Sequence, residues 1–150
     1  MSMETLDPQK AARVWQRVHP ENSAQEQGLL SLIAQEWADA TTYLQLSRKL
    51  SGKPATQLRS LFEQEQTHVA CLKGIYTLIV GTHPKVAALP LPQESPEVTL
   101  RRCYGREMQC LAQYEQRASH PEYGKVFARL AQQEQEHCRI VLEILGSLQK

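Results

Sequence analysis

The feature that most narrows what this chain can become is a glutamate set into an apolar seam, repeated four times. Prolines at 8, 20, 54, 84, 90, 92, 96 and 121 leave four long intervals, 21–50, 54–80, 96–118 and 121–148. All four are rich in Gln, Glu, Leu, Ala and Arg, residues that cost little in a helix. Read in heptads, the first interval carries Leu29, Glu36, Tyr43 and Leu50 on one seam and Leu32, Asp39 and Leu46 on the other. The second gives Leu58, Glu65, Leu72 and Ile79 with Leu61, His68 and Ile75, and the third gives Leu100, Glu107 and Tyr114 with Cys103 and Cys110. The fourth gives Phe127, Glu134, Val141 and Leu148 with Leu130, His137 and Ile144. Such seams face a bundle core, so each helix points one glutamate inward.

Punctuation sets the connectivity. Gly52 is placed to end the first helix and Pro54 to open the second, Gly81 closes the second, and Pro96 and Pro121 read as first-turn prolines of the third and fourth. The short first and last connections make two antiparallel hairpins, while the segment from Thr82 to Glu94 holds three prolines and is long enough to cross the bundle. The expected fold is all-α: an antiparallel four-helix bundle over 21–150 with a long helix 2–helix 3 crossover, preceded by a peripheral segment, 1–20, with a short amphipathic helix from about Pro8 to Val18 that includes Val14 and Trp15. Gly74 and Gly105, inside helices, suggest close helix approach or local distortion.

Four uncompensated carboxylates in an apolar core would cost several kcal/mol each, more than the ~5–15 kcal/mol that holds a domain together. No seam position beside them carries Lys or Arg, and two divalent cations would balance four negative charges. The halves also repeat: Glu36 and Tyr43 recur 71 residues later as Glu107 and Tyr114, and Glu65 and His68 recur 69 residues later as Glu134 and His137. Around the second pair the repeat extends to Leu61, Gln64 and Gln66, matched by Leu130, Gln133 and Gln135. At ~1.5 Å per residue each hairpin brings its two acids to the same depth.

Composition removes other classes. A formal net charge of +1 with 22% charged residues gives no electrostatic basis for binding nucleic acid, and no apolar run approaches the ~20 residues of a membrane span. The opening residues, Met1 to Pro8, have neither a basic start nor an apolar stretch, so the expected location is the cytoplasm. Cys71, Cys103, Cys110 and Cys138 form no Cys-x-x-Cys pair and read as reduced thiols.

Glutamates on helices 1 and 3 with Glu-x-x-His on helices 2 and 4 resemble the ferritin-like di-iron carboxylate superfamily, and the tyrosines seven residues after Glu36 and Glu107 look most like rubrerythrins. The resemblance covers about residues 21–148. It implies two iron ions per chain, with Mn or Zn as possible substitutes, bridged by Glu65 and Glu134, with Glu36 and His68 on one ion and Glu107 and His137 on the other. It further implies a non-haem di-iron oxidoreductase that reduces hydrogen peroxide or dioxygen in oxidative-stress defence, in a homodimer. The alternative is a ferritin- or bacterioferritin-like ferroxidase that binds iron. Carboxylates with one imidazole per ion suit Fe or Mn, and four Glu and two His leave coordination positions open to an oxygen ligand.

Three further residues are candidates for catalysis. Tyr43 and Tyr114 are placed to donate hydrogen bonds to site carboxylates, or are core aromatics with a satisfied hydroxyl. Asp39, an acid on an inward seam, is expected as a partner to a ligand histidine, as an additional ligand, or as a snorkelling acid. Rubrerythrins typically carry another carboxylate one turn after the helix 3 glutamate; here that position is Cys110, whose pseudo-symmetric mate is Asp39. With no rubredoxin-type cysteine pairs, electrons are expected from a separate donor protein.

Overall fold

The computed structural model of the 150-residue chain describes residues 7–11, 13 and 20–149. Four long helices dominate: α1 (Pro20–Lys49), α2 (Gly52–Val80), α3 (Pro96–Arg117) and α4 (Gly124–Leu148). Among the described residues there is no strand. Of the expected N-terminal helix, residues 8–11 and 13 are helical and exposed, while Val14 and Trp15 lie outside the described residues.

Helix α1 packs along α2, and α3 along α4. Between the hairpins α1 meets α3 and α2 meets α4. The cross-bundle bonds fix the directions: Gln35 reaches Cys110 while Asp39 reaches Arg106, so α1 and α3 run antiparallel. Gln64 reaches His137 while His68 reaches Gln133, which makes α2 and α4 antiparallel as well. The 82–95 segment therefore travels the length of the bundle, lying over α1 where Leu89 and Leu91 approach Ala34, Trp37 and Ala38. A direct turn would have reversed α3.

The ends follow local chemistry. Gly81, at φ 86°, closes α2 with its N–H on the Thr77 carbonyl at 2.9 Å, a left-handed cap that favours glycine. Ser95 caps α3 by accepting from the Val98 N–H, with Pro96 at the first turn. Two starts differ from expectation. Helix α2 opens at Gly52, whose φ of 66° belongs to the turn after α1. Helix α4 opens at Gly124 rather than at Pro121, because the His120 Nδ1 accepts from the N–H groups of Glu122 and Tyr123 and holds residues 121–123 as a turn. At Gly124 the chain passes so close to the Ala118 carbonyl that a Cβ would overlap it. Gly74 and Gly105 have open space around them, so neither marks a close helix approach.

The buried side chains form two apolar clusters rather than one. Leu29, Leu32, Ile33, Leu72, Ile75, Tyr114, Phe127 and Leu130 belong to the first, and Tyr43, Leu46, Leu58, Leu61, Leu100, Val141 and Ile144 to the second. In sequence the inward glutamates fall between the members of the two clusters on every helix. A polar layer thus crosses the middle of the bundle with apolar packing on both sides, where water is excluded and unpaired charge is expensive.

Candidate metal centre

Glu36, Glu65, His68, Glu107, Glu134 and His137 are each at most 1% exposed, and the structure brings all six together in this layer. His68 Nδ1 lies 2.8 Å from Glu36 Oε2, 3.0 Å from Glu134 Oε1 and 3.8 Å from Glu65 Oε2. His137 Nδ1 lies 2.7 Å from Glu65 Oε1, 3.5 Å from Glu107 Oε2 and 3.9 Å from Glu134 Oε1. His68 thus faces Glu36 of α1 and His137 faces Glu107 of α3, and the two rings share Glu65 and Glu134. The rings stack with centroids 5.2 Å apart. Glu65, His68, Glu134 and His137 each offer one ligand atom within 4.8 Å of the others, a spacing that could hold a metal ion.

Behind the rings are two residues that the sequence repeat displayed without a role. Gln133 Oε1 stands 2.7 Å from His68 Nε2, and Gln64 Oε1 stands 2.6 Å from His137 Nε2. An amide oxygen accepts only, so each Nε2 carries a proton, and Nδ1 is the ring nitrogen that faces the carboxylates. A proton kept on Nε2 by a partner outside the ligand set leaves Nδ1 as the atom that would bind a metal ion. The signal was the match of Gln64 with Gln133, one residue before each Glu-x-x-His.

The carboxylates are under-bonded. Glu36 Oε1, Glu65 Oε2, Glu107 Oε2 and Glu134 Oε2 are buried with no hydrogen-bond partner. Burial, with Glu36 and the other neighbouring carboxylates adding to it, holds the Glu65 and Glu134 carboxyls well above the usual range. Burial also works to raise Glu107, but the neighbouring Glu134 and His137 side chains outweigh it and hold that carboxyl at about 2. Burial lowers the His68 imidazole, and its hydrogen bond and attraction to Glu36 reverse this and raise it. Four unsatisfied carboxylate oxygens around two oriented nitrogen donors form an oxygen-rich donor set that fits hard or borderline divalent cations such as Fe and Mn.

The remaining candidates are distributed unevenly. Tyr43 donates its hydroxyl to Glu107 Oε1 at 2.8 Å, crossing to the other half rather than to Glu36. Tyr114 is fully buried and its hydroxyl has no partner. Asp39 takes Arg106 Nε on Oδ1 at 2.6 Å, so its partner is a guanidinium rather than a ring nitrogen. Its other oxygen is unpartnered. Burial, with Glu107 beside it, pushes the Asp39 carboxyl well up, and Arg106 partly offsets that. Arg106 escaped the heptad reading because it sits one position before Glu107, off the seam, and reaches inward by its length. Cys110 donates to Gln35 Oε1 at 3.4 Å and lies with Glu36 and Asp39 in a second buried group whose ligand atoms fall within 4.8 Å. Burial and the nearby carboxylates push its thiol far up, so it is protonated.

No helix among the described residues is long and apolar enough to cross a membrane. No protein-family model matches the sequence, and no curated protein matches it. Solved structures do. A dodecameric thioferritin, the bacterioferritin-related protein of Bacteroides fragilis, superposes with a TM-score of 0.71 at 14% identity, over 84% of this chain and 86% of its own. A ferritin-like, diiron-carboxylate protein of Bacillus anthracis str. Ames superposes with a TM-score of 0.70 at 19% identity, over 82% of this chain and 96% of its own. The order of the helices, the crossover along the bundle and these superpositions agree: the chain has the ferritin-like four-helix fold.

Proposed function

We propose that this protein is a rubrerythrin-like di-iron oxidoreductase that reduces hydrogen peroxide or dioxygen with electrons from an external donor protein. The observation that carries the reading is the set of four buried carboxylates, each with an unbonded oxygen, facing two histidine Nδ1 atoms, with each ring's Nε2 held from behind by Gln133 or Gln64. Glu36 and His68 would hold one ion and Glu107 and His137 the other, with Glu65 and Glu134 reaching both. A bound iron pair supplies a two-electron change, which with two protons reduces one hydrogen peroxide to two waters, and two electrons from the donor complete the cycle. The chain's own part is to fix the donors and to exclude water. The apolar clusters on either side limit solvent, Gln64 and Gln133 set the imidazole tautomers, and Tyr43 steadies Glu107.

The second reading is a ferritin-type ferroxidase that takes up iron. What favours it is the likeness to a protein described as a dodecameric thioferritin. Anaerobic ferrous titration followed by stopped-flow absorbance with peroxide and with oxygen tests both. About two irons per chain and rapid oxidation by peroxide, with turnover once a donor is supplied, support the first reading. Oxidation by oxygen with net iron accumulation and a shell-sized particle favours the second. Loaded protein inert to both oxidants overturns the enzyme reading.

A further inference from the structure

A small cavity lies outside the acid layer, where α1, the crossover and the start of α3 meet. Thr42, Lys49, Glu94, Thr99, Arg102 and Arg106 are among its lining residues. It has a free volume of about 20 Å³, room for roughly one water-sized molecule at the ~10–15 Å³ that each requires. Three of its four charged residues are cationic, and the fourth, Glu94, is paired to Arg102. Such a mouth repels ferrous ions and admits neutral or anionic molecules.

Arg106 connects this cavity to the interior. Its side chain is 18% exposed at the cavity, and its Nε donates to Asp39, which is fully buried. Asp39 in turn groups with Glu36, one of the six candidate ligands, and its Oδ2 has no hydrogen-bond partner. One ion pair therefore spans the wall between the surface and the carboxylate cluster. The two larger cavities flanking Trp37, of about 390 and 190 Å³, are lined by Ala40, Phe62 and Val69 on one side and by Ala34, Ala88 and Leu89 on the other. None of those side chains bonds to the acid layer.

We infer that this cavity is the port through which a small oxidant reaches the centre, and that the Arg106–Asp39 ion pair is its inner gate, selecting hydrogen peroxide over bulky alkyl hydroperoxides. The inference rests on the reading of the layer as an oxidant-consuming di-iron site. The guanidinium stands between the cavity and Asp39, and swinging it toward solvent, away from Asp39 and Cys103, would open the way to Glu36.

The test uses full-length protein loaded with ferrous iron. In wild type, hydrogen peroxide oxidises the centre faster than tert-butyl hydroperoxide. Arg106→Ala, and the double variant Arg106→Ala with Asp39→Asn that leaves no orphaned charge, narrow that preference by about tenfold, the scale on which a small change in pocket size discriminates substrates. Thr99→Trp, which fills the cavity from its rim, slows both peroxides. A second arm does not depend on turnover: azide is mixed with the oxidised, iron-loaded protein and its binding is followed by absorbance. Azide binds about tenfold more slowly in Thr99→Trp than in wild type, and faster in the double variant. Equal azide rates in all variants, or an unchanged peroxide preference in both Arg106 variants, overturn the port. If wild type reacts with neither peroxide, the peroxidase reading fails while the azide arm still decides the route.

Discussion

Replacing Glu134 by Gln separates a metal-built layer from a merely polar one, because the two predict opposite signs. In the metal-free chain Glu134 Oε2 is buried without a partner, and its carboxyl stands among Glu36, Glu65 and Glu107. Glu134→Gln keeps the shape and the oxygen that approaches His68 Nδ1 at 3.0 Å, while replacing the acid by an amide that supplies an N–H donor. An unsatisfied buried polar group costs ~1–3 kcal/mol, so the metal-free variant should melt at or above the wild-type temperature. With metal the order reverses. Two ions at a hundredfold above their dissociation constants contribute ~2.7 kcal/mol each, roughly 5 together. At about 2–4 °C per kcal/mol for a chain of this size, wild type gains roughly 10–20 °C. Glu134 faces both imidazoles, so Glu134→Gln weakens both positions and should lose most of that gain. Differential scanning calorimetry with and without ferrous or manganous ions under anaerobic conditions, alongside elemental analysis, reads both quantities. A variant that takes up the same metal and shows the same rise refutes the assignment of Glu134, and no rise in wild type refutes the metal layer.

Other residues yield sharper local expectations. His137→Ala should abolish iron loading while leaving the helical circular dichroism unchanged, and full iron stoichiometry would remove His137 from the ligand set. Gln64→Leu or Gln133→Leu frees one imidazole tautomer and should weaken metal binding by about 10–100-fold in a competitive chelator titration. Tyr43→Phe loses a buried hydrogen bond and should cost ~1 kcal/mol in urea unfolding, whereas Tyr114→Phe removes a hydroxyl that has no partner and should cost nothing. Equal losses would contradict the asymmetry. Arg106→Leu leaves Asp39 buried and unpaired and should destabilise by about 3–5 kcal/mol, with Asp39→Asn added to it recovering most of the loss in the same unfolding assay.

Much of this was legible because helix periodicity and burial impose the same arithmetic on sequence and structure. Glu36, Glu65, Glu107 and Glu134 stand out only against the Leu, Tyr, Phe and Val that share their seams, and the bundle buries those seams. The three-proline crossover was readable because a chain that needs about a bundle length of irregular backbone cannot hide it. Heptads record which face a residue occupies, and they are blind to how far it reaches. Arg106 lies off the seam and still ends on Asp39, and Tyr43 shares a seam with Glu36 yet bonds Glu107. The late start of α4 was hidden for a related reason: His120 accepts two backbone N–H groups through a local geometry that Pro121 alone does not announce.

The departures fall where the duplicated halves differ. Gln64, Glu65 and His68 on α2 are matched one for one by Gln133, Glu134 and His137 on α4, and their contacts are nearly symmetric: each ring takes a glutamine behind and carboxylates in front. Helices α1 and α3 break the symmetry. Glu107 has the Tyr43 hydroxyl on one oxygen, while Glu36 has Asp39 and Cys110 beside it and an oxygen that Tyr114 does not reach. Each of the two carboxylates keeps one unbonded oxygen, and they differ in what holds the other: the Tyr43 phenol on Glu107 and the His68 imidazole on Glu36. The Glu36 side is the one on which Asp39 and Arg106 lead out to the cationic cavity. If the layer holds cations as proposed, α2 and α4 supply its symmetric part, and α1 and α3 differ in what stands beside their glutamates, a phenol at Glu107 and the Asp39–Arg106 pair at Glu36.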